Sequence, residues 1–166
     1  NFFPYVFRKQ PVSWNSASKD KLLPGREYLV DRMNHEAVRF IERYREKPFF
    51  LYLSHFAPHS ILNGKPDLVE KYRRKHPPGR STRSRCYLCE DAGLEGDPLN
   101  HWAGDHNPHL AAMLESIDEG VGMIVKRLEE LQLSEHTLIV FTSDNGGELN
   151  VTSNAPLRGG KSQLFE

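Results

Sequence analysis

A chain of 166 residues is long enough for one domain with a sizeable core. Its 22 basic and 22 acidic side chains balance, so no strong field for nucleic acid or an anionic membrane is implied. No apolar run reaches the roughly 18 residues that would suggest a membrane span. Eight histidines is a high count, while two cysteines do not settle the redox compartment. The chain opens at Asn1 with neither an initiator Met nor a secretory signal and stops at Glu166 without a closing signal, which reads as an internal segment of a longer protein.

Residues 1–27 begin aromatic, with Phe2, Phe3, Tyr5, Val6 and Phe7, and turn polar, with a turn-like stretch from Ser13 to Ser18. They read as a connecting segment without chemistry of its own. Residues 28–46 place Leu29, Met33, Ala37, Phe40, Ile41 and Tyr44 at steps of three and four, which predicts a helix with one apolar face, ended by Pro48. Phe49-Phe50-Leu51-Tyr52-Leu53 is a solid apolar run that predicts a buried strand. It finishes in Ser54-His55-Phe56-Ala57-Pro58-His59, so two histidines follow its carboxyl end.

Residues 60–106 carry little periodicity beyond a short basic helix from Pro66 to Lys75, broken at His76-Pro77-Pro78-Gly79. A loop over 76–106 reads as an insertion. It contains Cys86-Tyr87-Leu88-Cys89 with His101 and His106 after it and His109 beyond, which admits a zinc staple, a local disulfide or free thiols. Residues 108–132 predict the clearest helix: Asn107 suits the cap and Pro108 the first helical position. Its stripe runs from Leu110 through Met113, Ile117, Val121 and Leu128, with Gly120 and Gly122 set to allow close packing on the sheet.

Thr137-Leu138-Ile139-Val140-Phe141 is a second apolar, β-branched run, again strand-like, and it ends in Thr142-Ser143-Asp144-Asn145-Gly146-Gly147. Strand, connection with helix, strand makes a right-handed βαβ unit. Ligands in open α/β sheets gather beyond the carboxyl ends of strands. That places His59, Asp144 and Asn145 at one sheet edge, the last two offering oxygens to a hard cation. Asn145-Gly146 followed by the alternating Glu148–Thr152 equally suits a plain hairpin. Gly160-Lys161-Ser162 in the tail is not a P-loop, because Ala155 stands where that motif needs glycine and Pro156 follows. Lys161 remains a flexible point charge for an anionic ester.

Taken together, these segments resemble the sulfatase family, of the arylsulfatase type in the alkaline-phosphatase-like superfamily. The apolar strand Phe49–Leu53 with His59 six residues on, the long helix with Ala111-Ala112-Met113 and Asp118-Glu119-Gly120-Val121-Gly122, the Ser143-Asp144-Asn145-Gly146 segment and Asn154-Ala155-Pro156-Leu157-Arg158-Gly159-Gly160-Lys161 occur in family order. The resemblance implies an α/β fold with a mostly parallel sheet flanked by helices, incomplete here, with residues 1–166 forming the central part of a catalytic domain. It implies Asp144 and Asn145 as ligands of calcium, with magnesium as the alternative, and His59 and Lys161 as the residues meeting a sulfate ester. His55 is the nearby alternative to His59. The expected substrate is a small sulfate ester or a sulfated glycan, and the expected compartment is an exported one. The family's formylglycine nucleophile arises from Cys or Ser in Cys/Ser-x-Pro-x-Arg, which no Cys or Ser here matches, and its early Asp-Asp metal pair is also missing. The segment alone should therefore turn over nothing. A phosphate or phosphonate ester hydrolase of the same superfamily, and a non-catalytic module stapled by zinc, are the competing expectations.

Overall fold

A computed structural model describes residues 28–59, 62–75, 107–149 and 151–164 of the chain. The predicted insertion over 76–106, with Cys86, Cys89, His101 and His106, and the aromatic opening of the chain lie outside the described residues. The chain divides into two compact units, one drawn from residues 1–57 and 115–138 and the other from 58–114 and 139–166.

In the first unit, helix α1 (Leu29–Tyr44) begins after Tyr28, whose extended backbone (φ −90°, ψ 131°) offers no side-chain cap. Asp31 in the first turn and Arg43 in the last complement the helix dipole. Its solvent face is laced by Arg32–Glu36 at 2.8 Å and Arg39–Glu36 at 3.0 Å. The buried face differs from the predicted stripe: Val30, Asn34, Ala37 and Ile41 are buried, whereas Met33 is half-buried and Tyr44 exposed. A polar residue holds the centre of that face because its amide is used. Asn34 Nδ2 donates to the Ser116 carbonyl of a second helix at 3.0 Å, which satisfies a donor that burial would otherwise penalise.

Helix α2 (Pro66–Lys75) belongs to the second unit and matches its predicted bounds. Pro66 opens it without loss, because a first-turn residue has no intrahelical use for an N–H. Helix α3 (Pro108–Glu130) runs through both units, residues 108–114 grouping with the second and 115–130 with the first. Asn107 Oδ1 accepts from the His109 and Leu110 amides at 3.0 and 3.1 Å, the predicted cap. The helix stops in a Schellman turn. Gln132 is left-handed (φ 58°), its amide donates to Glu129 O, and the Leu133 amide donates to Leu128 O at 2.8 Å.

Of the two helix glycines, only Gly120 meets a neighbour: a Cβ there would overlap the Asn34 amide, whereas Gly122 faces open space. The expectation that both glycines pack on a sheet is thus corrected: Gly120 packs on α1, and Gly122 meets nothing among the described residues. On the outer side of the pair, Arg127 bridges Glu42 of α1 at 2.8 Å and Glu130 of its own helix. Its guanidinium is held above its ordinary value by the Glu130 hydrogen bond first, with Glu42 adding to it.

In the second unit, Leu68 and Val69 of α2, flanked by Tyr72, bury against Ala112 of α3. Gly64 permits this approach, since a Cβ at that position would stand 2.6 Å from Ala112 Cβ. Leu62 and Met113 are also fully buried, each contributing roughly 1.5–3 kcal/mol by leaving water.

The predicted strands are not paired among the described residues, which form no sheet. Residues 49–55 alternate half-buried and exposed positions, with Phe50 at 86% and Tyr52 at 79% exposure, the period of an extended segment covered on one side. Phe49 faces the α1 side, its ring edge-on to Phe40 at 5.9 Å. The second run, 138–141, is exposed throughout, with Leu138 at 89% and Phe141 at 75%. The reading of burial on both faces is therefore not met among the described residues. A strand without a neighbouring strand has nothing to bond its backbone groups or cover its side chains. The hairpin alternative is not met either: Val151 and Thr152 donate back to Glu148 O at 3.0 Å, closing a turn where a returning strand was the alternative.

Candidate active site

The chemistry collects in the second unit, where two glycine-bearing segments run side by side. The first carries Asp144 and Asn145. Ser143 Oγ donates to Asn145 O at 2.7 Å, and Asn145 Nδ2 donates to Asp144 Oδ1 at 2.7 Å, so the turn is tied by its own side chains. Both residues are exposed. The Asp144 carboxyl is held below its ordinary value chiefly by the Asn145 amide, with backbone hydrogen bonds and the charge of Lys161 acting in the same direction.

The second segment carries Lys161. Its amide donates to Gly147 O at 3.0 Å, and Gly159 takes a left-handed conformation (φ 73°) just before it. Backbones this close leave no room for side chains: a Cβ on Gly146 would stand 3.2 Å from Gly160 Cα, and one on Gly160 would stand 2.6 Å from Gly147 O. Among the described residues, 161–164 form a turn and no helix begins at Lys161, so the helix start that a P-loop lysine opens is not seen there.

From this junction Lys161 reaches His59, with Nζ and Nε2 3.0 Å apart across 102 residues of sequence. The ammonium is the donor, so Nε2 is the unprotonated nitrogen of the imidazole in this contact. The structure thus brings His59, Lys161 and the Asp144 carboxylate into one electrostatic group. His55 lies in the other unit, half-buried, with a buried Nδ1 that finds no hydrogen-bond partner among the described residues and a pKa lowered by burial. His109 is buried in the first turn of α3. Among the described residues no three His, Cys, Asp or Glu side chains come together as a metal-holding group. No described helix is long and apolar enough to cross a membrane. Asn154, noticed in the sequence only as part of a motif, stands between the two glycine segments and bonds to both. Nothing in its local pattern signals this role, which depends on a turn bringing it back to Gly147.

The model of the Sulfatase family matches residues 3–166. Human steryl-sulfatase is 29% identical over 171 residues, covering 98% of this chain and 22% of that protein. Human arylsulfatase H is 31% identical over 140 residues, covering 84% of this chain and 19% of that protein. Among solved structures, that of Ps i-CgsB in complex with k-i-k-neocarrahexaose superposes with a TM-score of 0.60 at 29% identity, over 86% of this chain and 26% of that one. The chain belongs to the sulfatase family, whose fold is alkaline-phosphatase-like. It spans about a fifth of the length of the two human relatives.

Proposed function

We propose that this chain is the central part of the catalytic domain of a sulfuric ester hydrolase, and that the full-length protein hydrolyses sulfate monoesters. The observation that supports it is the meeting of His59 with Lys161 at 3.0 Å, beside the carboxylate-bearing turn. A sulfate ester carries its charge on the sulfuryl oxygens and develops more on the bridging oxygen as the sulfur–oxygen bond lengthens. Lys161 is a compact cation for a sulfuryl oxygen, fixed in advance by its backbone bond to Gly147. The incoming anion takes the Lys161 N–H from the imidazole, which frees the Nε2 lone pair to pick up a proton from solvent and then pass it to the leaving alcohol oxygen.

The donor chemistry at Asp144 and Asn145 suits a hard cation, with calcium first and magnesium second, and supplies two of the roughly six to eight oxygens that calcium takes. Asn145 now turns Nδ2 toward Asp144, so sharing one cation requires the amide to flip and present Oδ1. When bound, the cation would offset charge on the sulfuryl oxygens. The nucleophile, a formylglycine in this reading, lies outside this chain, so the chain alone is inactive. The runs 49–53 and 137–141 are read as strands of the mostly parallel sheet that the rest of the protein completes, and 76–106 as an insertion in that domain. The substrate class is a sulfated glycan or a small sulfate ester.

The test is turnover by the full-length protein of an aryl sulfate against the same aryl phosphate. Preference for the sulfate, together with an aldehyde-bearing residue found by peptide mass analysis, is the expected result. Preference for the phosphate, with an unmodified Ser or Thr nucleophile, would move the assignment to a phosphate or phosphonate ester hydrolase.

A further inference from the structure

Asn154 makes three hydrogen bonds, all to backbone and all at 3.0 Å. Its Oδ1 accepts the Gly147 N–H, and its Nδ2 donates to Gly147 O and to Gly159 O. Two carbonyls on one side and an N–H on the other leave the amide a single orientation that satisfies every partner. The residue joins the segment that carries Asp144 and Asn145 to the one that carries Lys161. Gly147 O is the shared point, because it also accepts the Lys161 amide. Gly160 packs against the same amide, a Cβ there standing 2.8 Å from Asn154 Nδ2. The side chain is half-buried, so water competes poorly for these bonds.

We propose that Asn154 is a positioning residue that sets the place of Lys161 relative to His59 and the Asp144–Asn145 turn; this rests on the reading that Lys161 meets the sulfate ester. No substrate contact is assigned to it. A lysine with four rotatable carbons on a loop would otherwise sample many positions, and an anchored backbone removes that freedom before substrate arrives. Asn is required in place of Asp because the two carbonyls need a donor. A carboxylate of the same shape would face Gly147 O and Gly159 O with an acceptor.

Asn154→Asp in the full-length protein separates the possibilities, with Asn154→Ser as the milder variant should the first not accumulate in folded form. The expected result is amide hydrogen exchange at Lys161 and Gly147 faster by roughly tenfold while α3 amides keep their rates. Turnover of an aryl sulfate should fall in the single variant. In the double variant Asn154→Asp/Lys161→Ala it should equal that of Lys161→Ala alone within about twofold, since a residue acting through Lys161 has nothing left to position. Unchanged exchange at Lys161, or losses that multiply in the double variant, would overturn the proposal. If exchange rises while Lys161→Ala leaves turnover intact, the positioning role stands and the assignment of Lys161 to the substrate falls.

Discussion

Replacing each of the two helix glycines by Ala gives opposite results from one chemical change. Helix propensity favours Ala over Gly by about 1 kcal/mol at either site. At Gly122 nothing lies near the added methyl, so Gly122→Ala is expected to stabilise by about that amount. At Gly120 the methyl overlaps the Asn34 amide, which must move and give up its bond to Ser116 O. A buried polar group left unsatisfied costs about 1–3 kcal/mol, and overpacking adds about 1–3 kcal/mol. After the propensity gain is subtracted, Gly120→Ala should destabilise by about 1–5 kcal/mol. Urea unfolding of the two variants, read as midpoints at constant slope, measures both. A Gly120→Ala variant as stable as Gly122→Ala would refute the packing of α1 on α3 described above.

Gln132→Gly removes a side chain from the left-handed position that ends α3 and is expected to raise stability by about 0.5–1 kcal/mol in the same assay. The lowered Asp144 carboxyl should titrate below the ordinary carboxylate range by NMR, and Asn145→Ala should move it upward, because the Asn145 amide is the main cause of the shift. The sign follows from the depression. The ionised form is favoured in the folded state, so the contribution is present above the unfolded value and is lost as pH falls through the lowered one.

The helices were legible because their signals are local. Pro66 and the basic turn end of α2, and the Asn107–Pro108 start of α3, each carry a cap or start rule in adjacent residues. The buried face of α1 was not legible, since Asn34 is polar by type and is buried only because a carbonyl on α3 awaits its amide. The apolar runs 49–53 and 137–141 read as strands from composition, but strand pairing depends on residues far away in sequence, and no partner for them lies among the described residues. In the site, glycines and an acidic strand end marked the Asp144 segment and a motif marked Lys161. The junction made by Asn154 and Gly147 could not be seen, because three backbone hydrogen bonds leave no trace in composition or periodicity.

The central claim is that His59 and Lys161, 3.0 Å apart, act on one sulfate ester. Turnover of an aryl sulfate by the full-length protein, with His59→Ala and Lys161→Ala compared against the unaltered chain, tests it most directly. Losses on the order of 10²-fold or more for each variant are predicted, with folded structure retained by circular dichroism. Unaltered turnover in either variant would contradict the account.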